Sequence, residues 1–403
     1  MVAPATGGAV MLESHSAGRH RYVALDSLRG LCACMVVLLH VSTQGNISTS
    51  LLVKHAALFV DFFFVLSGFV IGASYGVRLM GGFSIPRFMG RRLARIYPLH
   101  LALLLIFVAF ETGLTVFGAG AGHRAPFEGN YSLDYLLHSL LLVQVFLGAN
   151  PLAWNLPSWS IAAEVWIYLL FALLLRFAGR RIAAICLLVA VSAPLWLISQ
   201  PGFAPVMFEN ALIRCAMGFA LGMLGWRCAD WVLAMPLPRW MDHGLEIAVV
   251  AAVVAFIWIL GGEKMSVLAP FLFLLAVLVF AREKGLLSVA LKAGPLLMLG
   301  ALSYSIYLIH MFLYYRLLNL LSVIGPYVGR ELVVGGGHGK IIGGGPLIGD
   351  CISILFLALV ICCAYVSWRL IELPGQKLAR ELGSGRFAAT VARILKSAFK
   401  RPM

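Results

Sequence analysis

The chain consists of long apolar runs separated by short polar segments. A helix that crosses a membrane needs about 20 apolar residues, and by this measure the sequence predicts ten spans. They cover approximately residues 24–43, 57–77, 97–118, 160–177, 182–199, 209–229, 245–261, 266–282, 296–321 and 349–371. The pattern therefore predicts an all-α, polytopic membrane protein.

The basic residues between the apolar runs alternate in density along the chain. If the N-terminus is cytoplasmic, 24 of the 31 Lys and Arg residues fall on the cytoplasmic side, five on the opposite side and two within spans. Cytoplasmic loops of membrane proteins carry an excess of Lys and Arg. The asymmetry predicts an even number of spans with both termini in the cytoplasm.

Composition supports the membrane class. Hydrophobic residues make up 61% of the chain and charged residues 12%, whereas soluble proteins carry about 25% charged residues. The net charge is +14, but the basic residues lie between apolar runs, so we predict no nucleic-acid binding. The eight cysteines form no CxxC pair, which predicts packing roles and no metal site.

The regions outside the spans have their own predicted roles. We divide the chain into a cytoplasmic tail at 1–21, a membrane domain at 22–375 and a basic, amphipathic cytoplasmic tail at 376–403.

Segment 134–148 is too short to span, which predicts an interfacial or re-entrant helix. The aromatic residues of loop 119–159 would either stack on sugar rings or anchor the chain at the interface. Loop 322–348 contains VVGGGHGKIIGGGP, which lacks phosphate-loop spacing and is interpreted as a flexible loop.

The first span carries two ionisable residues, Arg29 and His40. On a helix they lie about 20° apart around the axis and roughly 16 Å apart along it. A charge within a membrane costs about 2.5 kcal/mol or more, so both residues are functional candidates. The alternatives are an interfacial anchor for Arg29 and an interhelical hydrogen bond for His40.

The predicted cytoplasmic loop before the third span is basic. Arg92 and Arg95 would share one face if this segment is helical, and paired guanidinium groups bind phosphates well. Coenzyme A presents a 3′-phosphate and a pyrophosphate at one end, and its long pantetheine arm would carry a thioester toward His40. The alternative is that the arginines only set the orientation of the chain.

Further polar residues lie within or beside the apolar runs. The candidates for a polar pocket are Asp26, Asp61, Ser67, Glu164, Tyr304, Tyr307 and His310. Asp61 and Glu164 lie near the outer ends of their spans, so the alternative for each is snorkelling to that interface. For Glu372, at the inner end of the last span, we expect an ion pair with a cytoplasmic arginine.

Six motifs in order resemble those of acyltransferase family 3. They are LDSLRG followed by His40, VDFFFVLSGF, Arg92 with Arg95, PSWSIAAEVWIYLL, LSYSIYLIH and WRLIELP, over about residues 22–380. The resemblance implies ten helices and transfer of an acyl group, commonly acetyl, from acyl-CoA to a hydroxyl of a carbohydrate, a glycolipid or a related acceptor. It also implies a bacterial inner-membrane location, contact with membrane lipid and no permanently bound cofactor.

By position, the resemblance assigns the essential histidine to His40. Acyl-CoA handling falls to Arg29, Arg92 and Arg95, and we add Ser67 to that group, with Glu164 and Asp61 as further catalytic candidates. Many members have a Glu-Glu pair where this chain has Glu164-Val165. Some members also carry a C-terminal soluble domain, and we expect none here.

Our mechanistic hypothesis is that His40 acts as a general base on the acceptor hydroxyl, which attacks the thioester directly. A covalent acyl-histidine route remains open. The rival classes are a transporter or flippase for a glycan or polar metabolite, and a non-catalytic scaffold. The sequence shows no internal repeat of the kind common in transporters.

Overall fold

The computed structural model describes residues 22–117, 125–146, 150, 152–200, 210–329, 331–336 and 339–377. These residues form a helical bundle with one short two-stranded sheet. The predicted all-α, polytopic class is therefore confirmed. The predicted N-terminal tail at 1–21 and the amphipathic tail beyond residue 377 lie outside the described residues.

The described chain contains fourteen α-helices. They are α1 Val23–His40, α2 Asn46–Thr49, α3 Leu51–Lys54, α4 Phe59–Met80, α5 Ile85–Val116, α6 Leu133–Leu141, α7 Ser158–Ala178, α8 Ile182–Ser199, α9 Ala211–Ala234, α10 Arg239–Leu260, α11 Ala269–Ala281, α12 Leu286–Leu291, α13 Gly294–Ile324 and α14 Pro346–Ser367. A π-helical turn, Trp368–Glu372, continues α14. The nine-residue α6 confirms that segment 134–148 holds a helix too short to span.

Nine stretches of the described chain are long and apolar enough to cross a membrane. One of them, Ser158–Ser199, has 42 residues, which as one helix would be about 63 Å long, twice the hydrocarbon thickness of about 30 Å. A 3₁₀ turn at Gly179–Arg181, where Gly179 has a φ of 54°, divides it. It therefore supplies two spans, α7 and α8, and the ten predicted spans correspond to ten long helices.

Helix α5 begins well before the predicted span at 97–118. The Ser84 side chain accepts a hydrogen bond from the Arg87 backbone N–H, and a proline occupies the first turn. Both are helix-start signals, but the prediction followed only the apolar run. The basic segment with Arg92 and Arg95 is therefore helical, which places these two residues on one side of α5.

The interpretation of 322–348 as a flexible loop was wrong. Within it, β1 (Val333–Gly336) pairs antiparallel with β2 (Gly339–Ile342). β-Branched residues on both sides of glycines are a hairpin signal. The Ile342 backbone N–H also donates to the Ser42 carbonyl at 3.0 Å, so the hairpin lies against the segment that follows His40.

Helices α1 and α13 run parallel and pack closely enough to bring their backbones together. A Cβ atom on Gly30 would lie 2.5 Å from the Leu299 carbonyl carbon, and one on Gly300 would lie 2.5 Å from the Asp26 carbonyl oxygen. Small residues allow such close contact between membrane helices. This packing fixes the relative position of every polar side chain that the two helices carry.

Burial differs widely between the helices. The span that contains α4 buries the largest share of its length among the described spans, and α10 buries the smallest. Large apolar side chains such as Val116, Leu188 and Ile259 are exposed on the outside of the bundle. An apolar exterior of this kind faces lipid, and α4 occupies the centre.

Candidate active site

A cavity opens among helices α1, α4, α5, α7 and α13. It encloses about 740 Å³ of empty space, counting its open mouth. Its lining is basic and polar on one side and apolar on the other. The lining residues are Arg29, Val60, Phe63, Phe64, Arg92, Arg95, Ile96, Ser160, Ile161, Glu164, Tyr168, Ser303, Tyr304 and Tyr307. Six of the residues proposed from the sequence thus meet in one place.

Three arginines from two helices form the basic side. Arg29 lies on α1, and Arg92 and Arg95 lie on α5, where Arg95 is exposed and the other two are partly buried. Arg29 is held in place, because its Nε donates to Ser303 Oγ at 2.8 Å and its Nη2 to the Gly300 carbonyl at 3.0 Å. It is therefore a fixed wall of the cavity, which favours a binding role over a snorkelling anchor.

Aromatic rings hold the guanidinium group of Arg92. Its central carbon lies 5.2 Å from the ring centroid of Tyr75, 5.8 Å from that of Tyr168 and 5.9 Å from that of Phe88. Cation–π contacts of this kind orient an arginine without neutralising it. Arg92 therefore keeps its positive charge for a ligand in the cavity.

Glu164 lies within the cavity wall, between α4 and α7. Its Oε1 accepts hydrogen bonds from Ser67 Oγ and from the Tyr168 hydroxyl, so the alternative of snorkelling to the interface does not apply. Ser67 contributes by holding Glu164 and is not itself a lining residue. The structure thus provides one carboxylate at this wall, consistent with Val165 at the next position.

Two tyrosines of α13 line the cavity. The Tyr304 hydroxyl donates to the Ile96 carbonyl at 2.6 Å, and the Tyr307 hydroxyl is hydrogen-bonded to Ser160 Oγ at 2.8 Å. The ring of Phe63 packs edge-on against Tyr307 at 5.8 Å. Tyr307 therefore closes the end of the cavity that lies away from the arginines.

His40 and His310 lie directly behind Tyr307. His310 Nε2 lies 3.3 Å from His40 Nδ1, and His310 Nδ1 lies 2.6 Å from the Tyr307 carbonyl oxygen. His310 follows Tyr307 by three residues, about 4.5 Å along α13. His40 is not a lining residue, so it lies one helical turn beyond the cavity.

The same-face alignment of Arg29 and His40 is confirmed. Both side chains contact α13, the first at Gly300 and Ser303 and the second at His310. The sequence could show the spacing of the two residues on α1. It could not show which distant helix would face them.

Asp61 lies outside the cavity. Its Oδ2 accepts from Arg214 Nη2 at 2.8 Å, and both side chains are almost fully buried. This ion pair joins α4 to α9, so Asp61 does not snorkel to the interface, and its predicted catalytic role stays a prediction. Asp26 lies 3.4 Å from the Arg29 guanidinium, one turn earlier on α1.

Two further expectations can be compared with the structure. Glu372 accepts from Ser305 Oγ at 2.9 Å and from Gln376 Nε2 at 3.2 Å. The positive charges of Arg95 and Arg29 also act on this carboxylate, so the expected arginine lies near Glu372 in addition to its hydrogen-bond donors. In the aromatic outer segment, Trp154 and Trp159 are 1% and 3% exposed. Indoles buried to this degree are not open to stack on a sugar.

Sequence reasoning missed Ser160, Tyr168 and Ser303 as lining residues. Tyr168 follows Glu164 by four positions, which places the two on one helix face, so this signal was present. Ser160 and Ser303 carried no comparable signal, because serines are common in membrane helices.

Comparison with known proteins shows a family match over most of the chain. The family described as an acyltransferase domain matches residues 22–369. Acyltransferase MdmB of Streptomyces mycarofaciens is 28% identical over 300 residues, 68% of this chain and 69% of the relative. Putative membrane-bound transacylase BcsY of Komagataeibacter xylinus is 29% identical over 252 residues, 60% of each chain.

A shorter relative is similar over the part of the chain that it covers. Protein 2 in the picA locus of Rhizobium radiobacter is 30% identical over 192 residues, 45% of this chain and 96% of the relative. No solved structure gives a significant match. Since the family match covers most of the chain and the described helices can span a bilayer, this protein belongs to acyltransferase family 3 and is a multi-pass membrane acyltransferase.

Proposed function

We propose that the protein transfers an acetyl group from cytoplasmic acetyl-CoA to a hydroxyl of a carbohydrate or lipid-linked sugar at the bacterial inner membrane. The observation that carries this proposal is the order of groups along the bundle. Three arginines line one end of the cavity, Tyr307 closes the other, and two histidines lie one turn beyond it.

The donor would bind with its phosphates at the arginines. Guanidinium groups match phosphate oxygens in charge and geometry, and Arg95 is exposed at the mouth, where a soluble donor enters. The pantetheine arm would extend along the apolar side, past Phe63 and Ile161. The thioester then reaches Tyr307, and its acyl end must pass the Tyr307–Ser160 hydrogen bond to meet His40.

The chemical step uses His40 as the base. Its imidazole takes the proton of the acceptor hydroxyl while the hydroxyl oxygen attacks the thioester carbonyl carbon. The carbon–sulfur bond then breaks, the ester forms, and the proton passes from His40 to the departing thiolate of coenzyme A. A positioned base of this kind contributes about 10²–10⁴-fold to the rate.

The acceptor would approach from the opposite end of the bundle. His40 is the last residue of α1, and the β1–β2 hairpin lies against the segment that follows it. With the N-terminus in the cytoplasm, this end faces away from the cytoplasm. An exported or membrane-anchored sugar would therefore meet the histidines without crossing the cavity that holds the donor.

The test is transfer by purified protein in detergent or vesicles. With acetyl-CoA labelled in the acetyl group and a lipid extract of the host, we expect label in an extractable acceptor and an equal amount of free coenzyme A. A transporter or flippase would release no coenzyme A. In cells, deleting the gene should remove the mass of one acetyl group from each acceptor molecule.

A further inference from the structure

The position of His310 assigns a role that the motifs alone do not. We infer that His310 is a positioning residue, which fixes the tautomer of His40 so that the Nε2 lone pair of His40 faces the acceptor hydroxyl. This inference rests on the proposed base function of His40. Four groups take part in a series of hydrogen bonds: the Tyr307 carbonyl, His310, His40 and the Val36 carbonyl.

The series of hydrogen bonds begins at the Tyr307 carbonyl oxygen. A carbonyl oxygen only accepts hydrogen bonds, so the ring nitrogen 2.6 Å from it, His310 Nδ1, carries a hydrogen. In a neutral imidazole the other nitrogen is then an acceptor. His310 therefore presents the lone pair of Nε2 to His40.

The orientation of His40 follows from two acceptors. Its Nδ1 lies 2.9 Å from the Val36 carbonyl oxygen and 3.3 Å from His310 Nε2. Both partners accept, so Nδ1 of His40 carries the hydrogen and shares it between them. The second nitrogen, Nε2, is left with a lone pair, which is the form that takes a proton from a hydroxyl.

Two other placements of the hydrogens are inconsistent with these contacts. If His310 carried hydrogens on both nitrogens, its Nε2–H would point at the Nδ1–H of His40, and two donors would face each other. If His40 carried its hydrogen on Nε2, the Val36 carbonyl would face a lone pair. When both histidines are neutral, only one arrangement satisfies all three contacts.

His310 takes the place that a carboxylate occupies in a serine hydrolase triad. There the carboxylate holds the histidine in the productive tautomer and stabilises the imidazolium that forms. Within the described part of the chain, no carboxylate hydrogen-bonds to His40. His310 is 0% exposed, so water does not compete for its lone pair.

Three variants test the inference. His310→Phe keeps a flat ring but removes both nitrogens, and His310→Gln keeps an amide oxygen that can accept from His40. His100→Phe is the matched control, since His100 is equally buried on α5 and bonds to the Ser139 carbonyl outside the cavity. All rates are measured per folded protein, with acetyl-CoA as donor.

We expect His310→Phe to lower kcat by about 10- to 100-fold with the KM for acetyl-CoA unchanged. The loss stays below the roughly 10⁴-fold that follows when a triad histidine loses its orienting carboxylate, because Val36 still holds Nδ1–H. His310→Gln should recover part of kcat, and His100→Phe should leave it unchanged. Wild-type kcat in His310→Phe, or no difference between the Phe and Gln variants, would overturn the inference.

A spectroscopic readout is independent of turnover. In protein labelled with ¹⁵N-histidine, the imidazole signal that disappears in His40→Ala belongs to His40, and it should report hydrogen on Nδ1. Hydrogen on Nε2 would overturn the inference. If His40→Ala were fully active, the proposed base would fail; if His40→Ala were inactive and His310→Phe fully active, only the role of His310 would fail.

Discussion

At the scale of single residues, Arg92 and Arg95 are the groups whose removal should affect the donor most. A hydrogen bond to a charged group contributes about 1.5–3 kcal/mol, and 1.4 kcal/mol corresponds to a factor of ten in binding. We therefore expect Arg92→Ala or Arg95→Ala to raise the KM for acetyl-CoA about 10- to 100-fold. The matched control is Arg87→Ala, an exposed arginine of α5 outside the cavity lining.

Steady-state kinetics at two salt concentrations would measure this effect. Since the interaction is electrostatic and close to water, salt should weaken donor binding in the wild type more than in either alanine variant. An unchanged KM in both Arg92→Ala and Arg95→Ala would contradict phosphate binding at this end of the cavity.

The buried pair of Asp61 and Arg214 gives a second residue-scale prediction. Removing one partner of a buried ion pair costs about 3–5 kcal/mol, while replacing both by apolar residues is often neutral. Asp61→Leu and Arg214→Met should each lower the melting temperature, and the double variant should recover most of the loss. If Asp61→Asn instead kept full stability and lost transfer, Asp61 would be catalytic and the structural role would be wrong.

At the scale of elements, the contact between α1 and α13 sets the geometry of the site. Gly300→Ala would place a methyl group 2.5 Å from the Asp26 carbonyl oxygen, and backbone atoms cannot yield cheaply. Overpacking of this kind costs about 1–3 kcal/mol. We expect a lower melting temperature and lower kcat, because Arg29 and His40 both depend on this contact.

The control for that substitution is Gly113→Ala in α5. A Cβ atom there would meet nothing within 4 Å, and alanine in a helix is favoured over glycine by about 0.5–1 kcal/mol. Thermal unfolding followed by size-exclusion chromatography would compare the two. Equal melting temperatures for Gly300→Ala and Gly113→Ala would contradict the close packing of α1 on α13.

Elements also show how far the sequence could predict the fold. Spans such as α4 and α14 could be located because uninterrupted apolar runs have one common solution in lipid, a helix. The start of α5 was missed because its first turns are basic, so hydropathy alone gives no signal there. The hairpin was missed although β-branched residues flank its glycines, because the strands have only four residues each. Its hydrogen bond to Ser42, about 300 positions earlier, could not be predicted from the sequence.

Some residues of the candidate site could be identified from the sequence and others could not. Arg29 and His40 were identifiable because charge in an apolar run is costly and their spacing fixes their relative angle. The contact of His40 with His310 was not, since it joins residues 270 positions apart. The ion pair of Asp61 with Arg214 could not be predicted either, because the two residues lie on helices that are far apart in the sequence.

At the scale of the whole molecule, the proposed direction of transfer depends on which end faces the cytoplasm. The basic residues predict cytoplasmic termini, so a green fluorescent protein fused to the C-terminus should fluoresce and alkaline phosphatase at the same place should be inactive. Phosphatase fused after residue 262, beyond α10, should be active. Active phosphatase at the C-terminus would contradict the cytoplasmic entry of acetyl-CoA.

The central claim is that His40 carries acyl transfer from a donor held at the arginines. The most direct test is the single-turnover rate of transfer from labelled acetyl-CoA by His40→Ala, with donor binding measured on the same sample. The rate should fall about 10²–10⁴-fold, while acetyl-CoA binding stays within about twofold, since His40 lies beyond the cavity. A wild-type rate in His40→Ala would contradict the account.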